Sequence, residues 1–158
     1  FAPQMVLPLF VVPLAAMFVL LQWQPELIYG VMDPAAIAQA ERSFDPAAEH
    51  SKLGRDSGSD WQMFGHYIMN NISIGLRTFA SGLLFGIGTI LVLIFNGLHI
   101  GATFGHLQQI GSGDPMWRFV AGHAPFELTA IVLAGGAGLR LGLATFLISN
   151  GYSESRWL

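Results

Sequence analysis

The sequence contains no cysteine and few charged residues. The absence of cysteine excludes disulfide bonds, thiolate metal sites and a cysteine nucleophile. Only 11% of the 158 residues are charged, whereas a soluble domain typically has roughly 25%. The seven basic residues form no cluster and the net charge is −3, which argues against a nucleic-acid partner.

The chain is instead rich in apolar side chains. Hydrophobic residues make up 53% of the sequence and the mean hydropathy is +0.53, which excludes an intrinsically disordered chain. An apolar, charge-poor chain of this length is typical of an integral membrane protein with one domain. We therefore expect an all-α polytopic bundle of transmembrane helices, some of them short or broken, with a small extramembrane acidic insert.

The charged residues divide the chain into three regions. Residues 1–21 carry no charge and, at about 1.5 Å per helical residue, are long enough for a first transmembrane helix. Residues 22–67 carry seven acidic and three basic residues and are predicted to form the acidic, partly helical extramembrane insert. Residues 68–158 form a glycine-rich membrane core. Because the chain does not begin with methionine, we expect it to be part of a longer native protein.

Two Asp-Pro pairs predict short helices in the insert. Asp33-Pro34 and Asp45-Pro46 each precede an alanine-rich stretch. Aspartate is a favoured N-cap, and proline is favoured at the first helical position. The insert is interpreted as a solvated connector, with a binding surface as the alternative.

The membrane core is too long for a single crossing. Residues 68–111 contain one charge, Arg77, and would extend roughly 66 Å as a helix, about twice the thickness of a hydrocarbon core. A break is predicted at Asn96-Gly97, and residues 134–138 are predicted to kink the last segment. The predicted segments are 68–95, 98–110 and 119–149, and the second of them either crosses or re-enters the membrane.

Small residues recur at four-residue spacing within the core. On a helix this spacing forms a smooth stripe along which another backbone can approach closely. The pattern predicts tight helix packing, and it is also compatible with a homo-oligomer. The stripes are Gly82/Gly86, Gly97/Gly101/Gly105 and Ala134/Gly138/Gly142.

Nine polar residues lie in or near the apolar segments, among them Asn70, His99 and His106, and ionisable groups there are costly unless they face protein or water. Six of the nine are the candidate site residues. They are Asn71, Arg77, Asn96, His123, Glu127 and Arg140. Comparable positions within their segments predict that Glu127 pairs with Arg77 and that Asn71 lies near His123. Three roles stay open for these residues: a structural lock, an ion or proton path, and a metal or catalytic site.

No recognisable catalytic signature accompanies the polar residues. His123 and Glu127 lie four residues apart on one helical face and are residue types that bind zinc. The sequence contains no HExxH motif or comparable pattern. We therefore predict a protein that is not an enzyme, with no cofactor and no bound metal.

Several motifs carry a family resemblance over about residues 61–156. They are Asn70-Asn71-Ile72, Phe79-Ala80-x-Gly82-x-x-x-Gly86, Asn96-Gly97-x-x-x-Gly101, the run from Gly122 to Ala130, and Gly135-Gly-Ala-Gly-Leu139-Arg-Leu-Gly142. In their order and spacing the chain resembles the stage II sporulation protein M family. The resemblance places the family's polar motif positions on Asn71, Asn96, His123 and Glu127.

The resemblance implies a role in the prokaryotic cell envelope. The member that gives the family its name is a polytopic membrane component of the engulfment machinery, associated with peptidoglycan-degrading partners. By analogy we expect a multi-pass cell-membrane scaffold or localising subunit that contacts lipid, membrane proteins and peptidoglycan-remodelling enzymes. The alternative is a transport or channel component with a buried His/Glu site, and an intramembrane enzyme is a third hypothesis.

Overall fold

In a computed structural model of the protein, the described residues are 3–49, 69 and 71–149, without the side chains of residues 3, 5, 48, 49 and 123–126. All regular secondary structure within these ranges is helical, which confirms the predicted all-α class. Short 3₁₀ turns occupy Pro25–Leu27 and Ser81–Leu83. The helices are α1 (Pro3–Trp23), α2 (Ile28–Val31), α3 (Pro34–Ser43), α4 (Pro46–Glu49), α5 (71–80), α6 (Ile87–Gln109) and α7 (Gly113–Ser149).

Among the residues that the structure describes, three helices are long and apolar enough to cross a membrane. The apolar stretches are Val6–Trp23 in α1, Ile87–Gln109 in α6 and Glu127–Ser149 in α7. Many of their large apolar side chains are exposed on the surface of the bundle, as expected for residues that face lipid. The chain is therefore a helical membrane protein, and its first span coincides with the charge-free start of the sequence.

A glycine stripe on α6 joins α6 to α1. A Cβ atom added to Gly97 would lie 2.4 Å from the Phe10 carbonyl oxygen, and one added to Gly101 would lie 2.3 Å from that of Leu14. The matching order of these pairs shows that α1 and α6 run parallel. The backbones meet so closely that only hydrogen fits at these glycines, as the four-residue spacing predicted.

Helix α7 runs antiparallel to α6 and packs against the end of α5. A Cβ atom on Gly135 would lie 3.0 Å from Leu93 Cδ1, and one on Gly138 would lie 2.5 Å from Thr89 Oγ1. One on Gly82 would lie 2.1 Å from the Gly138 carbonyl oxygen. The glycines of α7 thus allow close approach by both α5 and α6.

The predicted break at Asn96-Gly97 is wrong. Helix α6 continues through these residues, and the chain turns at residues 81–86 instead. Gly86 has φ +80° and Phe85 has φ +54°, left-handed conformations that end a helix. Gly97 is needed for contact with α1 and does not interrupt the helix. The predicted segments 68–95 and 98–110 are therefore replaced, within the described residues, by α5 and a full-length α6.

Residues 134–138 do not interrupt the last helix. Helix α7 contains 37 residues and continues through them, so the predicted segment 119–149 is part of one longer helix. At about 1.5 Å per residue, α7 extends roughly 55 Å and exceeds the hydrocarbon thickness. The glycines that suggested a kink are sites of helix packing.

The Asp-Pro pairs begin helices as predicted. The Asp33 side chain accepts a hydrogen bond from the Ala35 amide (2.8 Å), and the Asp45 side chain accepts one from the Ala47 amide (2.9 Å). Helices α2 and α3 then pack against α6, with Ile37 buried in a cluster that includes Ala102. This part of the acidic insert is thus folded onto the membrane bundle.

Candidate functional site

A polar contact joins α5 to α7 within the apolar core. Asn71 Nδ2 donates a hydrogen bond of 2.5 Å to Glu127 Oε1, and both side chains are half-buried. We call this pair the α5–α7 polar contact. A side-chain amide that donates to a carboxylate satisfies part of the hydrogen-bonding capacity of both groups, which reduces the cost of placing them in an apolar environment.

The contact lies near the middle of the bundle. Along α7, Glu127 lies between Trp117, which donates a hydrogen bond to Gln108 near the end of α6, and Gly135, which lies beside Leu93. Because α6 and α7 run antiparallel, Glu127 is level with the central turns of α6. A carboxylate at this depth is expected to face protein or water, as the hydrogen bond to Asn71 indicates.

The predicted pairing of Glu127 with Arg77 is wrong. Glu127 is bound to Asn71, and Arg77 lies on the exposed side of α5. The reason is helical geometry: Thr78 faces the core with no exposed surface, and its neighbour Arg77 is rotated by about 100° from it. Similar depth within a segment therefore did not imply a shared face.

The structure does not bring the other predicted residues into this contact. Asn96 is half-buried on α6, and Arg140 is exposed on α7. The His123 side chain, and with it the predicted proximity of Asn71 and His123, lies outside the described residues. Of the six predicted residues, the described side chains join only Asn71 and Glu127.

Two side-chain hydroxyl groups donate hydrogen bonds to a backbone carbonyl oxygen near the end of α5. Thr89 Oγ1 and Ser81 Oγ both donate to the Thr78 carbonyl oxygen, at 2.9 and 3.0 Å. The last carbonyls of a helix lack partners within the helix, and lipid supplies no donors. These two hydroxyls therefore help to place the turn between α5 and α6 in an apolar environment.

A second polar contact, which sequence analysis did not identify, fixes α3 to α6. His106 Nε2 and Glu41 Oε1 lie 2.7 Å apart, with 12% and 43% of their side-chain surface exposed. We call this pair the α3–α6 anchor. Glu41 lies four residues after the buried Ile37, so the two share a helical face. That spacing was the feature of the sequence that could have indicated that Glu41 faces the bundle.

The start of α7 packs against the same end of the bundle. Trp117 Nε1 donates a hydrogen bond of 2.7 Å to Gln108 Oε1, and its ring contacts Phe18 and Phe104. Gln22 Nε2 donates to the Gly105 carbonyl oxygen at 3.1 Å. Contacts between α1, α6 and α7 therefore hold this end of the bundle, next to the α3–α6 anchor.

Within the part of the chain that the structure describes, no group of three His, Asp or Glu side chains is placed to hold a metal ion. The two polar contacts each join one helix to another.

The chain matches the model of one protein family, stage II sporulation protein M, over residues 6–157. The protein belongs to the stage II sporulation protein M family. This match covers nearly the whole chain, including the first span and the acidic insert, where sequence analysis found no family motif. No curated protein and no solved structure matches the chain.

Proposed function

We propose that this protein is a multi-pass cell-membrane scaffold that holds cell-envelope proteins, including peptidoglycan-remodelling enzymes, at the membrane and is not itself an enzyme. The observation that carries the proposal is the α3–α6 anchor. A scaffold must hold its partner-binding surface in a fixed position relative to the membrane. The hydrogen bond between Glu41 and His106 fixes α3 to the bundle, and we propose α3 as that surface.

The packing of the bundle supports the same function. Gly97 and Gly101 bring α6 against the backbone of α1, and Gly138 brings α7 against α5. Close-packed interiors have low compressibility and do not deform continuously. A rigid bundle of this kind suits a protein that positions others. Family membership adds the expected setting, the cell envelope.

The test removes the anchor and follows the partners. Glu41→Ala is compared with Gln39→Ala, which changes an exposed residue of the same helix. We expect peptidoglycan-remodelling enzymes to co-purify with the wild-type protein and with Gln39→Ala from native membranes. Glu41→Ala should retain less of them and show faster amide exchange in α3. The proposal fails if no such enzyme is enriched over an unrelated membrane protein of similar abundance.

A transport or channel component is the second candidate, and the α5–α7 polar contact favours it. A carboxylate level with the middle of a membrane helix is a common feature of ion and proton paths. In sealed proteoliposomes, this hypothesis predicts a proton or cation flux that Glu127→Gln abolishes. Flux no higher than in protein-free liposomes would rule out the transport hypothesis, and equal flux from wild-type and Glu127→Gln protein would leave Glu127 with a structural role.

A further inference from the structure

The corner between α1 and α2 exposes two large amphipathic rings. Trp23, the last residue of α1, is 76% exposed, and Tyr29 on α2 is 67% exposed. Ile28 and Met32 lie buried in one cluster with Leu21 of α1, so α2 packs one side against the bundle and turns Tyr29 outwards. We call Trp23 and Tyr29 the aromatic corner.

The aromatic corner lies where the apolar surface of α1 ends. Val19 and Leu20, in the turn before Trp23, are exposed and belong to the apolar stretch that is long enough to cross the membrane. Gln24 and Glu26, which follow Trp23, are also exposed. The exposed surface therefore changes from apolar to polar at Trp23, as it does where the hydrocarbon core meets the lipid headgroups.

The two rings of the corner lie close together in depth. Ile28, the residue before Tyr29, is buried in the same cluster as Leu21, which lies two residues before Trp23. Indole and phenol rings combine an apolar body with one polar group, so they are most stable between hydrocarbon and water. Two such exposed rings at one depth favour the headgroup layer as the surface that they contact.

The charge of this region favours contact through the rings and not through basic side chains. Residues 24–43 contain three acidic residues and one basic residue, Arg42. Electrostatic attraction to anionic lipids requires a cluster of lysine and arginine residues, and this stretch has the opposite net charge. Binding to phospholipid at this place therefore depends on Trp23 and Tyr29.

The aromatic corner also fixes the depth of α3. Gln22, next to Trp23, donates a hydrogen bond to the Gly105 carbonyl oxygen, and His106 is bound to Glu41 of α3. Because residues 105 and 106 are consecutive on α6, the end of α1 and the α3–α6 anchor lie at one level. Contact between Trp23 and the headgroups thus places the anchored part of α3 at the membrane surface.

We propose that the aromatic corner binds the phospholipid headgroup layer and thereby holds α3 at the membrane surface. Lipid is the occupant because the corner continues the side of α1 on which Val19 and Leu20 are exposed to lipid. This inference rests on the proposed scaffold function and deepens it, because it states where in the membrane the partner-binding helix lies.

The experiment measures the depth of a nitroxide label on Gly30→Cys. Gly30 is exposed, and no atom lies within 4 Å of the position that its Cβ would take, so the label leaves both rings and their surroundings intact. The full-length protein is reconstituted in phosphatidylcholine vesicles, and the relative accessibility of the label to oxygen and to a water-soluble nickel chelate gives its depth. The same label on Val12→Cys, in the middle of α1, marks the hydrocarbon core.

A phospholipid labelled on its headgroup provides the reference depth. We expect the label at Gly30 to lie within about 5 Å of this reference, the thickness of the headgroup region on one side of a bilayer, and the label at Val12 to lie deeper. Adding phosphatidylglycerol should leave the depth of the Gly30 label unchanged, because the corner acts through its rings.

The role of the rings is tested with paired variants. Replacing both rings, by Trp23→Ser with Tyr29→Ser, should move the Gly30 label towards water. It should also speed amide exchange in α3 about tenfold, which corresponds to about 1.4 kcal/mol. The matched control exchanges the rings, by Trp23→Tyr with Tyr29→Trp, and should leave both values unchanged within about twofold. Equal thermal stability of the purified variants confirms that they are folded.

Several results would overturn the inference. They are a Gly30 label as accessible to the chelate as a label free in water, one as deep as Val12, one shielded from both reagents by protein, a depth that changes with phosphatidylglycerol, and a depth that the serine variant does not change. If peptidoglycan-remodelling enzymes still co-purify in that case, the scaffold function stands and only the lipid contact is wrong. If the label lies at the headgroups but no such enzyme co-purifies, the lipid contact stands and the scaffold function is wrong.

Discussion

At the scale of residues, the hydrogen bond between Asn71 and Glu127 should contribute measurably to stability. We expect Asn71→Ala and Glu127→Ala each to lower the free energy of unfolding by about 1 kcal/mol, the magnitude typical of hydrogen bonds between membrane helices. Because both variants remove the same contact, the double variant should fall short of their sum by about 0.5–1.5 kcal/mol. Reversible unfolding in detergent micelles measures all three values.

The same comparison of two single variants with the double variant, made for Arg77 and Glu127, provides the control. Arg77 is exposed and Glu127 is bound elsewhere, so the effects of Arg77→Ala and Glu127→Ala should add. Glu127→Gln should be milder than Glu127→Ala because its side-chain oxygen can still accept from Asn71. Strong coupling between Arg77 and Glu127, or none between Asn71 and Glu127, would contradict the assignment of the contact.

The sequence identified Asn71 and Glu127 as buried polar residues but not their pairing. Residue type and an apolar surrounding are local properties, so they could be read directly. Which side of a helix faces which neighbour depends on the relative rotation of α5 and α7. The error over Arg77 arose because its depth was used without its angular position around the helix.

At the scale of elements, the close contact between α1 and α6 should not tolerate a methyl group. A Cβ atom on Gly101 would lie 2.3 Å from the Leu14 carbonyl oxygen, a backbone atom. We expect Gly101→Ala to lower the free energy of unfolding by about 2–3 kcal/mol, as overpacking does. Unfolding of the purified variant in detergent micelles gives the value.

Gly75 on α5 is the matched control. It is helical, and no atom lies within 4 Å of the position a Cβ would take. Because glycine in a helix interior is about 0.5–1 kcal/mol less favourable than alanine, Gly75→Ala should leave stability unchanged or raise it. If both alanine variants were equally stable, the helices would not approach as closely as the structure shows.

The packing glycines of α6 and α7 were predictable, and the position of the break was not. Gly82 and Gly86 were predicted as a helical stripe but lie in the turn at residues 81–86. The four-residue spacing of small residues is visible in the sequence, and in membrane helices this spacing indicates close helix packing. The turn at residues 81–86, in contrast, depends on a left-handed Phe85 and on the hydrogen bond from Thr89 to the Thr78 carbonyl oxygen. Phenylalanine gives no signal for that conformation, and Thr89 acts from the next helix. Asn96-Gly97 carried the stronger local turn signal and was overridden by packing against Phe10.

At the scale of the whole molecule, the parallel arrangement of α1 and α6 constrains how the chain crosses the membrane. Two consecutive spans that point the same way require the intervening residues to return across the bilayer. The described residues of α5, 71–80, cover about 15 Å of that distance, roughly half of a hydrocarbon core. The acidic insert and the loop between α6 and α7 should therefore lie on one side of the membrane, and the end of α7 on the other.

The lack of cysteine allows this arrangement to be tested without any background reaction. We expect Gln39→Cys on α3 and Asp114→Cys at the start of α7, both exposed, to react with a membrane-impermeant maleimide from the same side of sealed vesicles. Ser149→Cys at the end of α7 should react only from the opposite side, because α7 contains an apolar stretch long enough to cross. Labelling of right-side-out and inverted vesicles distinguishes the two sides. If Gln39→Cys and Asp114→Cys reacted from different sides, α1 and α6 could not be parallel, and the α3–α6 anchor could not form in the membrane.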